Sequence, residues 1–419
     1  MGDVPPADGR DRDRLRTKSR GRDDCPDPST TFTTRRQFIG RAAAAIGFAF
    51  VARVRAGAAQ PGGASRLAYV GSFTSKARNA RGEGLSVFRV DSVTGAWSRI
   101  QLLADEINPS YLAIDARGRC LYAVHADSDV VSAFGIDPRE GTLTLANRQS
   151  TGGANPVHLA IDPTGRFLTI ANYGGGSVAV VAVRGDGSLG ARTDLVTLAG
   201  EHGPHPIEQA ASHPHHCPFD PSGRLLVVPD KGLDRVFVFR LDVGTGKLQA
   251  MDPPSVATRA GAGPRHLDFH PTAPYAYLVN ELDSTVAVFR LDASRGVLAP
   301  VQLVPSLPSS FTGPNTGSGI EVSRSGRFVY ASNRGHDSLA VFAVDPRDGT
   351  LTPRGWTPTG GRVPRFFCFD PSGRMIYAAN QASDTIVAFR VDPFSGALKR
   401  TGRALQTGTP TAIAFHRVL

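Results

Sequence analysis

The chain has 419 residues, of which 41% are hydrophobic, so it can bury a sizeable core, and it carries a formal net charge of +10. Half of that charge lies in residues 1–58; the remainder, 35 basic against 30 acidic residues with no basic stripe interleaved with aromatics, does not describe a nucleic-acid-binding surface. Cys25 falls in this leader, and Cys120, Cys217 and Cys368 form an odd set at strand-like positions that reads as buried free thiols rather than a disulfide framework.

In chain order, residues 1 to about 30 are rich in Arg and Asp, almost free of apolar side chains, and read as disordered. Thr34-Arg35-Arg36-Gln37-Phe38 then precedes an apolar run from Ala42 to Ala52 and a small-residue site at Ala56-Gly57-Ala58. This is the three-part layout of an export signal, and the paired arginines point to the twin-arginine machinery as a partner and to a periplasmic or extracellular destination. The apolar run is too short to span a bilayer. Residues 1–58 are therefore assigned as leader and residues 66–419 as one folded domain.

The domain opens with Leu67-Ala68-Tyr69-Val70-Gly71-Ser72-Phe73 and Leu85-Ser86-Val87-Phe88-Arg89-Val90, which read as two strands of a unit whose first strand is missing there. A short phrase then recurs six times, beginning at Asp115, Asp162, Asp220, His270, Ser323 and Asp370, with spacings of 47, 58, 50, 53 and 47 residues. Its fullest form is Asp-Pro-x-Gly-Arg, as in Asp220-Pro221-Ser222-Gly223-Arg224, with apolar runs on both sides. Two strands around a tight turn, a third alternating strand such as Ser284–Leu291, and a Gly-x-Leu turn into a fourth make a propeller blade of this period. The missing first strand reappears as Thr411-Ala412-Ile413-Ala414-Phe415-His416. The expected fold is an all-β, seven-bladed propeller of four-stranded blades, closed by the C-terminal strand completing the N-terminal blade.

The repeat also serves as a ruler. Residues five before each turn start, and ten and eleven after it, lie at the end of the blade opposite the turn. Counted this way, His215, Arg265 and Arg365 precede inner strands, while Asn280 with Glu281, Asn333 with Arg334, Lys231 and Gln381 follow second strands. Polar side chains from separate blades can converge there on a small ligand. The Asn residues also suit a plainer role, closing turns. Strand alternation selects His215 rather than His216 for this mouth and leaves His216, His158 and His266 to pack between blades. No Cys pair, His-Glu-x-x-His or acidic cluster accompanies His213-Pro214-His215-His216, so no metal and no other cofactor is expected.

Gly263-Pro264-Arg265-His266, Val279-Asn280-Glu281-Leu282-Asp283-Ser284, Ala331-Ser332-Asn333-Arg334-Gly335-His336 and Ala379-Asn380-Gln381-Ala382-Ser383 resemble the lactonase family of seven-bladed propellers. That family includes bacterial 6-phosphogluconolactonases and is related to a fungal carboxy-muconate cyclase. The resemblance implies that His215, Glu281 and Arg334 serve catalysis. Departures are His125-Ala126 where relatives often carry Asn-Glu, the turn at His270–Pro274 without its Gly, and Ser323-Arg324 without its Pro. The implied reaction is metal-independent acid/base opening of a small-molecule sugar-acid lactone, with Arg334 on the developing oxyanion and His215 or Glu281 activating water. Arg265, Arg365, Lys231, Asn280, Asn333 and Gln381 would bind substrate, the cations holding a phosphate or carboxylate. Two other functions suit the same scaffold: a non-catalytic binding propeller, and a cyclase or isomerase acting on a muconate-type lactone.

Overall fold

The repeated turn explains its own sequence. Asp162 Oδ1 accepts the N–H groups of Arg166 and Phe167, both at 2.7 Å, and Asp220 Oδ1 accepts those of Arg224 and Leu225 at 2.9 and 2.8 Å. The glycine two residues before the second N–H takes a φ of 71° in Gly165 and 69° in Gly223, which side-chain-bearing residues rarely adopt. Where that Gly is replaced by Ala273, the turn is held differently: His270 Nδ1 accepts the N–H of Ala273 at 2.8 Å.

The computed structural model describes residues 66–91 and 94–416, so the expected leader and export signal in residues 1–58 lie outside the described residues. Seven antiparallel sheets are present among the described residues. Blade 1 is Arg66–Ser72, Leu85–Val90 and Trp97–Leu103, completed by Pro410–Phe415, with Tyr69 opposite Ala414 and Val70 opposite Ile413. Blade 2 is Pro109–Ile114, Cys120–His125, Val130–Ile136 and Leu143–Ser150; blade 3 is Pro156–Ile161, Phe167–Asn172, Ser177–Val183 and Leu189–Thr197. Blade 4 has Leu225–Asp230, Arg235–Asp242 and Lys247–Ala257. Blade 5 is Pro264–Phe269, Tyr275–Asn280, Thr285–Asp292 and Val297–Pro305. Blade 6 is Thr316–Val322, Phe328–Arg334, Ser338–Val344 and Leu351–Pro358, and blade 7 is Pro364–Phe369, Met375–Asn380, Thr385–Val391 and Leu398–Gln406. The seven-bladed propeller and its closure by the C-terminal strand are thus present.

Two local expectations are corrected. The inner segment of blade 4 is not a regular strand; it is held by isolated bridges from Pro214 to Asp230 and from Phe219 to Leu226. Pro214, Pro218 and Pro229 lack the N–H groups a full ladder would use. Strict alternation also fails on the inner strands, because the register shifts between Pro156 and His158, Pro264 and His266, and Pro364 and Phe366. An extra residue at each shift is a β-bulge that re-aims the side chains around it. At the corresponding place in blade 4, both His215 and His216 turn toward His266, at ring separations of 5.2 and 4.3 Å. His158, His216 and His266 do pack between blades as expected, and with Tyr111, Asp268, Glu321 and Phe366 they line an axial cavity of about 400 Å³.

The core lies between neighbouring blades rather than within one. Leu225, Val227 and Val238 of blade 4 meet Leu267, Leu278 and Phe289 of blade 5, and Tyr277, Val279 and Val288 of blade 5 meet Val329, Ala331 and Phe342 of blade 6. Each such face gains on the order of 25 cal/mol per Å² of apolar surface buried. Polar clamps repeat alongside. Tyr69, Tyr122, Tyr277 and Tyr330 donate hydroxyl hydrogen bonds to the Gly141, Gly187, Gly349 and Gly396 carbonyls of the next blade, at 3.0, 2.9, 3.2 and 2.9 Å. The leucine of the Gly-x-Leu turn is gripped too: the Leu351 N–H donates to Gln302 Oε1 at 2.7 Å, while Gln302 Nε2 donates to the Leu351 carbonyl at 3.1 Å.

Candidate functional site

The ends of the second strands opposite the repeated turns carry Tyr173, Lys231, Glu281, Arg334 and Gln381 at one repeat position in blades 3 to 7. Four of them cluster, and Glu281 is the centre. Its Oε1 lies 2.9 Å from Lys231 Nζ, and its Oε2 lies 2.8 Å from Arg265 Nε and 3.1 Å from Arg334 Nη2. The bulge in the blade 5 inner strand is what brings Arg265 to this carboxylate. Arg265 is further held through Nη1 to the Ser318 carbonyl at 2.7 Å, and Arg334 through Nη2 to the Gly317 carbonyl at 2.8 Å. Gly317 must be glycine, since a Cβ there would sit 2.4 Å from the Asn280 carbonyl oxygen.

Burial works to raise the Glu281 pKa, but Arg334, Arg265 and Lys231 outweigh it and hold the carboxyl well below the usual carboxylate range. Burial opposes the Lys231 charge, and Glu281 and Tyr173 with the bond to Glu208 more than restore it. Burial and neighbouring Arg334 bring Arg365 down to about 10, still cationic at neutral pH. Arg365 makes no ion pair among the described residues; it lies over the Phe73 ring at 5.1 Å, with Arg78 over the same ring at 4.2 Å. Four cations thus face Glu281 and Glu208, and the set carries two more positive than negative charges.

His215 stands beside this cluster with its ring edge-on to Tyr173 at 5.4 Å. Burial, then Arg265, depresses its pKa well below the ordinary imidazole value, so the ring is neutral at physiological pH. Its buried Nδ1 has no hydrogen-bond partner, and neither does the Nε of Arg334. Unsatisfied buried donors and acceptors gathered in one place are costly to the fold and suit a ligand that completes them.

The structure brings His215, Glu281, Arg334, Arg265 and Lys231 together and sets Arg365 next to them. Asn280 and Asn333 bond within the scaffold: Asn280 Nδ2 donates to Thr285 Oγ1 at 2.9 Å, its Oδ1 having no partner, and Asn333 Nδ2 donates to the Ser306 carbonyl of the preceding interblade loop at 2.8 Å. Gln381 begins a short 3₁₀ turn, Gln381–Ser383, and its side chain takes no part in the cluster. Two residues of the cluster had no role in the sequence reading. The hydroxyl of Tyr173 accepts from Lys231 Nζ at 3.2 Å, and its ring stacks on His213 at 4.3 Å. Glu208 forms an ion pair with Lys231 from an interblade loop. Tyr173 shares the repeat position of Glu281, so the count reaches it without giving it a role; Glu208 has no repeat position. A larger cavity, about 920 Å³, opens among the repeated turns at the other end, lined by scaffold residues such as Asp115, Arg119, Asp162 and Arg166. It lacks the unpartnered groups of the cluster. Among the described residues no three His, Cys, Asp or Glu side chains gather as metal ligands, and no helix is long and apolar enough to cross a membrane.

Residues 67–415 match the family model for "Lactonase, 7-bladed beta-propeller". The chain is 34% identical over 308 residues to the 6-phosphogluconolactonase of Bacillus subtilis, covering 73% of this chain and 85% of that protein. A 6-phosphogluconolactonase of Formosa agariphila is 33% identical over 314 residues, covering 73% and 86%. Among solved structures, the periplasmic gluconolactonase of Pseudomonas aeruginosa superposes with a TM-score of 0.78 at 33% identity, covering 85% of this chain and all of that one.

Proposed function

Because the chain belongs to the lactonase family of seven-bladed β-propellers, we propose that it hydrolyses a sugar-acid lactone at the Glu281 cluster. The observation that carries this reading is a carboxylate ringed by Lys231, Arg265 and Arg334 beside a buried, neutral His215 whose Nδ1 is unpartnered. Glu281 is too acidic to donate or retain a proton at neutral pH, so its part is to fix the three cations. His215 is then the general base. It takes a proton from water as the water oxygen attacks the acyl carbon, and Arg334 stabilises the oxyanion. The acyl C–O bond of the ring breaks, and the imidazolium returns its proton to the departing ring oxygen. Arg365, Arg265 and Lys231 orient the anionic or hydroxyl-bearing end of the substrate. The scheme calls for no metal, so turnover is expected to survive chelation by EDTA.

Purified protein should be assayed by pH-stat against 6-phosphogluconolactone, glucono-δ-lactone and a muconolactone. Hydrolysis of either sugar lactone, reduced at least about 100-fold in His215→Gln with folding intact, is the expected outcome. A folded protein that turns over none of the three is a binding propeller instead, and turnover of the muconolactone alone points to cyclase-type chemistry. Arg35-Arg36 ahead of the apolar run, together with a relative named as periplasmic, supports export. Fractionation of cells carrying the full chain or Arg35→Lys/Arg36→Lys tests it.

A further inference from the structure

The longest repeat spacing, 58 residues between Asp162 and Asp220, is produced by the loop that follows Thr197 and runs beside Lys231. Its base is pinned beside Lys231. The Gly203 N–H donates to the Gly232 carbonyl at 2.8 Å, and Gln209 Nε2 donates to the Lys231 carbonyl at 2.8 Å. The loop comes so close that a Cβ on Gly232 would lie 1.7 Å from the Ala211 oxygen. Next to this anchor, Glu208 presents its carboxylate to Lys231 Nζ. Lys231 is therefore held by two carboxylates of different kinds. Glu281 has an 11% exposed side chain and is shared with two arginines, whereas Glu208 is 43% exposed and has no second ion pair among the described residues.

We propose that Glu208 is an exchangeable counter-ion: it yields Lys231 to the carboxylate formed in the reaction and returns to displace it. This rests on the lactonase reading above. Hydrolysis adds water across the acyl C–O bond, and the resulting acid loses its proton to solvent at neutral pH, so the product carries one more negative charge than the substrate. A cluster with an excess of positive charge would hold that product. Glu208 supplies a competing anion already tethered at the site, at a high effective concentration. Its exposure keeps the bond to Lys231 weak enough to break.

The test uses the full chain and its Glu208→Gln variant, with Glu201→Gln removing the same charge from an exposed position of the same loop. Gluconate is the probe, measured as an inhibitor of glucono-δ-lactone hydrolysis and directly by calorimetry. Glu208→Gln is expected to bind gluconate about five-fold more tightly and to show a lower kcat. Its KM for the neutral lactone should change less than about two-fold. Glu208→Asp should recover part of the wild-type behaviour. Unchanged or weaker gluconate binding in Glu208→Gln, or equal tightening in Glu201→Gln, would overturn the proposal. Tightening specific to Glu208→Gln in a protein without lactone turnover would support the ion exchange and defeat the hydrolase reading, so the two failures are separable.

Discussion

His215 and Glu281 are neighbours with opposite proton economies. The burial that keeps His215 neutral extends its competence as a base to acid pH, so the acidic limb of kcat/KM should fall below the ordinary imidazole value of about 6.5. A limb at or above that value would assign the base elsewhere. Glu281 is charged, and its removal leaves Lys231, Arg265 and Arg334 buried without their common partner. Glu281→Gln should cost about 3 kcal/mol of stability, read by chemical denaturation, as well as activity. The sign of its pH dependence follows from the depressed folded pKa: the stabilisation is complete above the unfolded value near 4.3 and is lost as pH falls through the lower folded value. The repeat phase made most of this site readable in advance, since Lys231, Glu281 and Arg334 stand at one blade position. What it could not convey was which members of that phase join one cluster. Gln381 has the right phase and a turn to itself, while Asn280 and Asn333 spend their amides on Thr285 and Ser306.

At the scale of strands, the signals that worked were those with a local cause. The turn Asp is recognisable because its carboxylate caps two successive N–H groups, and the turn Gly because of its positive φ. Failures came where an inner strand takes an extra residue, as between Pro264 and His266, because alternation assumes an unbroken ladder. The blade 4 inner segment adds a second cause: prolines delete the N–H groups from which strand pairing is built. The interblade clamps were also invisible, although each uses a repeated residue. The Tyr330 hydroxyl holds the Gly396 carbonyl across a blade boundary in a buried setting. Tyr330→Phe keeps the ring and leaves that carbonyl unpaired, so it should lower unfolding free energy by about 1–2 kcal/mol and leave lactone KM unchanged.

Across the whole molecule, the axial cavity concentrates groups that burial keeps neutral. His158, His216 and His266 are all depressed, His216 to about 3, whereas burial lifts the Glu321 carboxyl well above its usual range. For the histidines, stability is complete above the unfolded value near 6.5 and declines below it, because protonation favours the unfolded chain. Glu321 runs the other way: its contribution is present at low pH and disappears as pH rises through the raised folded value. Glu321→Gln mimics the neutral acid, so it should be more stable than wild type by at least about 1 kcal/mol at pH 8 and equal to it at about pH 3.5, below the unfolded value near 4.3. Equal midpoints at both values would remove the buried acid from this account. The ring itself depends on Pro410–Phe415, whose pairing with Arg66–Ser72 covers that strand's inner edge and joins the two ends of the domain in one blade. That pairing also sets a schedule. A ribosome working at 5–20 residues per second emits the partner of Arg66–Ser72 only about 20–70 s after the strand itself. For that interval the nascent chain carries Arg66–Ser72 without its partner strand. Late closure makes the unfinished propeller a client for chaperones, and a cell short of them should accumulate it as aggregate before the finished protein loses any activity.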